Sequence, residues 1–252
     1  MKDQVYQTIM TTAREKGAAY AVLIDPDRKN DHHLATLMEN INAAEVDLIL
    51  VGGSLIMDAG CRQRVAQIKE KARPPVVFFP GGLSQLSPDF DAMLFMSIIS
   101  GRNPHYLIGE QVIAAPVVRD LDMETIATAY LLIDGGGSSA VQFMSNTTPI
   151  PINRVDIALA HALAAQYLGF KMAYLEAGSG AKQAVPEGMV RQVAEATEIP
   201  LIVGGGIRTA ESARERAEAG ATVIVTGTII EEQADRGLLN DLAAAVHYRE
   251  QR

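Results

Sequence analysis

The sequence predicts an α/β chain wound into a (β/α)₈ barrel of the TIM type, and three observations carry that prediction. The length of 252 residues matches the roughly 250 typical of one such barrel and allows a large core. Apolar runs recur over 20–24, 47–51, 76–79, 92–96, 129–133, 171–175, 200–203 and 222–226. Most are continuous rather than alternating, as parallel strands covered on both faces require. Finally, the runs end in glycine with a carboxylate or hydroxyl, whereas their beginnings, such as Arg73-Pro-Pro and Glu198-Ile-Pro, do not. The chemistry is thereby gathered at one rim, the rim where barrels carry active sites.

In chain order, a leading helix is expected over 3–15, covering the barrel floor. Helical segments over 32–44, 61–71, 106–114, 154–168, 187–197, 209–219 and 238–249 fit between most of the strands. The connection over 80–91 is the exception. It is short for a crossover helix and holds Pro80, Gly81, Gly82 and Pro88, so the third outer helix is expected to be missing beside Phe78 and Phe79. No linker or low-complexity tract divides the chain, and one barrel domain over 1–252 is the expectation.

Residues 199–230 organise the rest. Ile-Pro-Leu-Ile-Val-Gly-Gly-Gly-Ile-Arg, an alanine-rich amphipathic run and Ala-Thr-Val-Ile-Val-Thr-Gly-Thr make one βαβ unit. Gly204 to Gly206 and Gly227-Thr228 then lie side by side at strand ends, where backbone N–H groups can close on an anion. The loops after the last two strands of such barrels often bind phosphate. A formal net charge of −8 argues against a nucleic-acid partner, although glycine loops and a metal could still draw anionic substrates. The lone Cys61 excludes an internal disulfide or thiolate cluster. The chain's start lacks the apolar core of a signal peptide and no run approaches the roughly 18 apolar residues of a membrane span, so a cytoplasmic protein is expected.

Asp25 and Asp27 flank Pro26 after the first strand. Carboxylates at a barrel rim suit Mg²⁺, which takes one or two of them plus substrate phosphate oxygens; alternatively, Asp27 caps the next turn and pairs with Arg28. Ser54, after Gly52-Gly53, either ligates the same ion or caps a helix. The exit Tyr174-Leu-Glu-Ala-Gly-Ser-Gly sends Tyr174 and Glu176 to the same side, with Gly178-Ser179-Gly180 able to fold over a phosphate. Glu176 then binds hydroxyls and takes a proton, or pairs with Arg208 across the rim. The five histidines show no metal-ligand spacing, and neither a P-loop nor a nucleophile elbow is present.

Taken together, Leu23-Ile-Asp-Pro-Asp, Leu50-Val-Gly-Gly-Ser, Phe79-Pro-Gly, Ser100-Gly-Arg-Asn-Pro, Tyr174-Leu-Glu-Ala-Gly-Ser-Gly, Gly204-Gly-Gly-Ile-Arg and Thr226-Gly-Thr resemble the geranylgeranylglyceryl phosphate synthases and their heptaprenyl relatives. The first two forms look closer to the geranylgeranyl branch, and Tyr106 stands where some relatives carry a tryptophan. The resemblance implies a barrel with an incomplete third crossover, and Mg²⁺-dependent transfer of a prenyl group from its diphosphate to the C3 hydroxyl of sn-glycerol 1-phosphate. It places the metal on Asp25 and Ser54. The glycerol phosphate falls on Tyr174, Leu175, Glu176, Ala177, Gly178, Ser179, Gly180, Gly205, Gly206, Gly227 and Thr228, with Asp25, Tyr174 and Glu176 catalytic. The expected partners are therefore sn-glycerol 1-phosphate and geranylgeranyl diphosphate, with transient membrane contact and a homo-oligomer. Two rivals share the phosphate loops: a phosphosugar isomerase or cyclase of the histidine or tryptophan pathways, and a non-catalytic phosphate-sensing barrel.

Overall fold

The computed structural model describes residues 3–233 and 235–249; Met1, Lys2, Ala234 and residues 250–252, which the expected domain span includes, lie outside the described residues. Strands β1 Ala19–Ile24, β2 Leu48–Val51, β3 Val76–Phe78, β4 Ala92–Ile98, β5 Glu124–Leu132, β6 Met172–Glu176, β7 Leu201–Gly204 and β8 Val223–Thr226 close in sequence order into a barrel. Every pairing is parallel, and β1 returns to β8 through Ala19↔Val223 to Val22↔Thr226.

Alternation along each strand divides the core into two layers. Ala21, Leu50, Leu94, Tyr130, Tyr174, Ile202 and Val225 fill the barrel interior, and Val22, Ile49, Leu131, Leu175 and Val203 pack outward against the helices. The interior is thus occupied by side chains and leaves no bore for a long ligand. The leading helix α1, Gln4–Lys16, closes the floor with Val5 and Ile9 in the inner layer. The carboxylate of Glu124 holds it there by accepting from the Val5 and Tyr6 N–H groups, at 2.9 and 2.8 Å. Those are two of the first-turn donors that a helix cannot satisfy internally.

The outer helices are α2 Leu34–Ala43, α3 Cys61–Lys71, α4 Glu110–Asp120, α6 Val155–Tyr167, α7 Glu187–Ala196, α8 Ala210–Glu218 and α10 Arg236–Val246, joined by the short α5 Ala140–Ser145 and α9 Thr228–Gln233. Between β3 and β4 the chain makes only the 3₁₀ turn Leu83–Gln85, as the prolines and glycines there predict. In three places the elements depart from expectation. β5 begins five residues early, at Glu124, whose carboxylate is taken up by the first-turn N–H groups of α1. The helix expected over 106–114 starts as a π-helical turn, His105–Gly109, and continues as α4 to Asp120 through Pro116. α5 and α9 were not anticipated, being too short for a periodic signal. Among the described residues, no helix is long and apolar enough to cross a membrane.

Candidate active site

The strand exits meet at the carboxyl-terminal rim in one cavity. Asp25, Ser54, Tyr174, Glu176, Ser179, Gly180, Gly205, Gly206, Gly227 and Thr228 all line it. Three of the anticipated residues, Leu175, Ala177 and Gly178, do not. Leu175 and Ala177 are buried in the layer between barrel and helices, because alternation turns them away from the side shared by Tyr174 and Glu176. Ala177 contributes backbone only, its N–H donating to Gly204 O at 3.0 Å. Gly178 likewise works from behind, donating its N–H to Glu176 Oε1 at 2.6 Å.

Glu176 does not pair with Arg208, which lies 3.8 Å from Glu232 instead. Burial pushes the Glu176 carboxyl up to about 6, while Tyr174 and the Gly178 N–H pull the other way. The Tyr174 hydroxyl is buried beside the Glu176 carboxylate without a well-aligned hydrogen bond to it. Burial, reinforced by Glu176, also holds the Tyr130 and Tyr174 hydroxyls well above the ordinary tyrosine range, so both stay protonated. Gly205 lies against this carboxylate with φ +79°, and a Cβ there would overlap Glu176 Oε1. Only glycine lets the β7 loop turn so close to a charge. Thr228 ties the opposite side, its Oγ1 accepting from the Gly180 N–H at 3.2 Å. The loops after β6, β7 and β8 thereby surround one small polar space, with Arg208 at its edge.

On the other side of the cavity Asp25 is fixed by a network that the sequence did not reveal. Its Oδ2 is 2.9 Å from Lys29 Nζ, which also lies 3.1 Å from Glu231 Oε2. Glu231, carried by α9, accepts at Oε1 from the Asp25 N–H and from Asn30 Nδ2, at 2.8 and 2.9 Å. Asp27 is turned away to accept from the Lys29 and Met57 N–H groups, each at 3.2 Å. It therefore caps the turn Arg28–Asn30, while Arg28 pairs with Asp58. Asp25 Oδ1 faces Gly53, where a Cβ would stand 2.8 Å away. That loop is clasped by Gln85, which accepts from the Gly53 N–H and donates to the Gly53 carbonyl. No group of three or more His, Cys, Asp or Glu suited to a metal occurs among the described residues. One accessible carboxylate edge beside the Ser54 loop suits an ion that completes its shell with phosphate oxygens and water, which is the habit of Mg²⁺.

An apolar groove opens beside this cavity where the third helix is missing. Phe78, Phe79, Leu83, Leu86, Met93, Phe95, Met96, Tyr106, Ala114 and Met144 line it. Ser54, Phe79, Tyr130 and Val141 belong to both spaces, so groove and polar cavity are continuous. At their junction the rings of Phe79, Tyr130 and Tyr174 stand 5.5 to 6.4 Å apart.

The sequence profile of the PcrB family matches residues 10–245. This chain belongs to the PcrB family. It is 44% identical to the geranylgeranylglyceryl phosphate synthase of Chitinophaga pinensis over 98% of this chain and 97% of that one. It is also 44% identical to the synthase of Korarchaeum cryptofilum, over 85% and 88%. Among solved structures it is similar to the (S)-3-O-geranylgeranylglyceryl phosphate synthase of Thermoplasma acidophilum in complex with its substrate sn-glycerol-1-phosphate. There the TM-score is 0.89 and the identity 36%, over 98% of this chain and all of that one. The Thermoplasma acidophilum structure and this chain therefore share the barrel over nearly their whole lengths.

Proposed function

We propose that this protein transfers a geranylgeranyl group from its diphosphate to the C3 hydroxyl of sn-glycerol 1-phosphate, making an ether phospholipid precursor. The observation that carries the reading is the continuity of a polar, glycine-walled cavity with an apolar groove: one substrate is a small phosphate, the other a long hydrocarbon with a charged head. The names of the family relatives point to the same reaction.

Asp25, with Ser54 beside it, would hold Mg²⁺, which supplies charge neutralisation of the departing diphosphate. The chain's own residues do the rest. Gly205, Gly206, Gly227 and Thr228 close on the acceptor phosphate, and Ser179 and Gly180 cover it. The Glu176 carboxylate orients the C3 hydroxyl and receives its proton as the ether bond forms. Tyr174, still protonated, donates to an acceptor oxygen. Phe79, Tyr130 and Tyr174 face the allylic carbon at the junction, where ring faces stabilise developing positive charge. Barrier lowering then comes from position and electrostatics, with no covalent enzyme intermediate.

The reading extends to assembly and place. Ile108, Val112, Ile113 and Val117 leave α4 and the turn before it with an exposed apolar face, a surface suited to self-association into a homo-oligomer, and transient membrane contact would deliver the prenyl substrate. Both substrates are phosphorylated anions that do not cross a bilayer unaided, which supports a cytoplasmic reaction. Purified protein incubated with Mg²⁺, labelled geranylgeranyl diphosphate and each glycerol phosphate enantiomer should yield a lipid-soluble phosphate from the 1-phosphate. Turnover without prenyl diphosphate, or binding without turnover, would contradict the proposal.

A further inference from the structure

Two carboxylates, Asp25 and Glu231, approach one another at the β1 exit although they are distant in sequence. Glu231 cannot retreat: its Oε1 is held by the Asp25 N–H and by Asn30 Nδ2, and Asn30 is itself buried and donates to the Asp25 carbonyl. The cation between them is Lys29, at 2.9 and 3.1 Å. Its side chain is 55% exposed, against 29% for Asp25 and 13% for Glu231. Lys29 is thus the one member of the three able to swing without disturbing packed neighbours. The 3₁₀ turn Arg28–Asn30, capped by Asp27, carries it to this position four residues after Asp25.

We propose that Lys29 is an exchangeable counter-ion for the metal position. Its ammonium holds Asp25 and Glu231 in place in the free protein, gives up Asp25 to the divalent ion when that ion arrives with a diphosphate, and takes a phosphate oxygen in return. The proposal rests on Asp25 being the metal ligand. Its physical basis is charge. Asp25, Glu231 and Lys29 together carry −1, so a divalent ion alone would have to displace an ammonium already neutralising its ligand. When the ion comes with a diphosphate, the added negative charge offers Lys29 a new partner. Lysine suits the exchange, since it is a compact charge on a flexible stem with three rotatable donors and can keep Glu231 while changing its other partner. Lys29 is a positioning residue in this scheme, setting the order in which metal and diphosphate bind.

Calorimetric titration of Mg²⁺, alone and with inorganic pyrophosphate, tests the exchange without any turnover. Wild-type protein should bind Mg²⁺ alone weakly and at least tenfold more tightly with pyrophosphate. In Lys29→Met, affinity for Mg²⁺ alone should rise at least tenfold and the pyrophosphate enhancement should shrink, with Lys29→Gln behaving alike. Lys29→Arg, which restores the charge, should return toward wild type. Equal Mg²⁺ affinity in wild type and Lys29→Met, with binding abolished in Asp25→Asn, would overturn the exchange and leave the metal on Asp25. Undiminished Mg²⁺ binding in Asp25→Asn would overturn both.

Discussion

Asp25 and Glu176 are both carboxylates at one rim, and their surroundings suit them to different work in the proposed reaction. Asp25 is partly exposed and already paired with a cation, whereas Glu176 is 5% exposed among aromatic rings. Asp25→Asn should nearly abolish turnover while leaving glycerol phosphate affinity by calorimetry within about twofold, a change of about 0.4 kcal/mol, because the acceptor loops follow β6 to β8. Loss of that affinity along with activity would show the roles to be wrongly divided. Glu176, raised to about 6 from an ordinary 4.5 by burial, must be ionised to take a proton, so kcat/KM should fall below about pH 6 as it becomes protonated. The stability effect has the opposite sign. A carboxyl raised on folding favours the folded state below its unfolded pKa and loses that contribution as pH rises through about 6, an effect on the order of 2 kcal/mol. Glu176→Gln should therefore be more stable than wild type at pH 8 by denaturant melts. Its activity loss should exceed the roughly 0.5 to 1.5 kcal/mol of a neutral hydrogen bond, with weaker preference for the 1-phosphate enantiomer. A variant with intact enantiomer preference and less stability would contradict both halves.

At the scale of elements, the floor and the rim are held by polar contacts that span the chain. Glu124 joins β5 to α1 through the Val5 and Tyr6 N–H groups. Glu124→Ala should lower unfolding free energy by about 2 to 4 kcal/mol, since it strands two donors at a helix start, with kcat below the melting range unchanged. Denaturant unfolding followed by circular dichroism, with activity in parallel, measures both; a loss under about 0.5 kcal/mol, the scale of an ordinary surface substitution, would show that α1 is held by Val5 and Ile9 packing alone. Contacts of this kind also mark where sequence reading stops. The strands and their exits were legible because burial on both faces writes itself as apolar runs, and the short third connection because proline and glycine cannot build a crossover helix there. Glu124 reads as a loop residue until α1 lands on it. Lys29 and Glu231 carry no local signal, since only barrel closure brings β8 and α9 to β1. The family resemblance places Leu175 and Ala177 with the site, although strand alternation turns both away from the side shared by Tyr174 and Glu176.

Across the whole molecule, closing eight strands fills the barrel interior with side chains, so a long hydrocarbon can only lie outside it. Each CH₂ left in water forgoes about 0.8 kcal/mol, and a geranylgeranyl chain therefore needs a continuous apolar track beginning at the reacting carbon. The groove beside the missing helix supplies one. It starts at the junction with Phe79 and Tyr130 and runs along Phe78, Met93 and Phe95 toward α4. Tyr106 lines it from the π-helical turn before α4, its ring meeting His105 edge-on at 5.0 Å and its carbonyl accepting from Gln111. A ring braced in this way on a widened turn is placed to act as a stop that sets tail length. Tyr106→Ala should then raise turnover of prenyl diphosphates longer than the C20 substrate relative to the C20 substrate itself, while glycerol phosphate affinity stays the same, because the acceptor loops lie across the barrel. Competition assays with mixed chain lengths give the ratio directly. A length profile identical to wild type in the folded variant would remove Tyr106 as the stop, and a lipid-bound crystal structure with the tail elsewhere would remove the groove as its track.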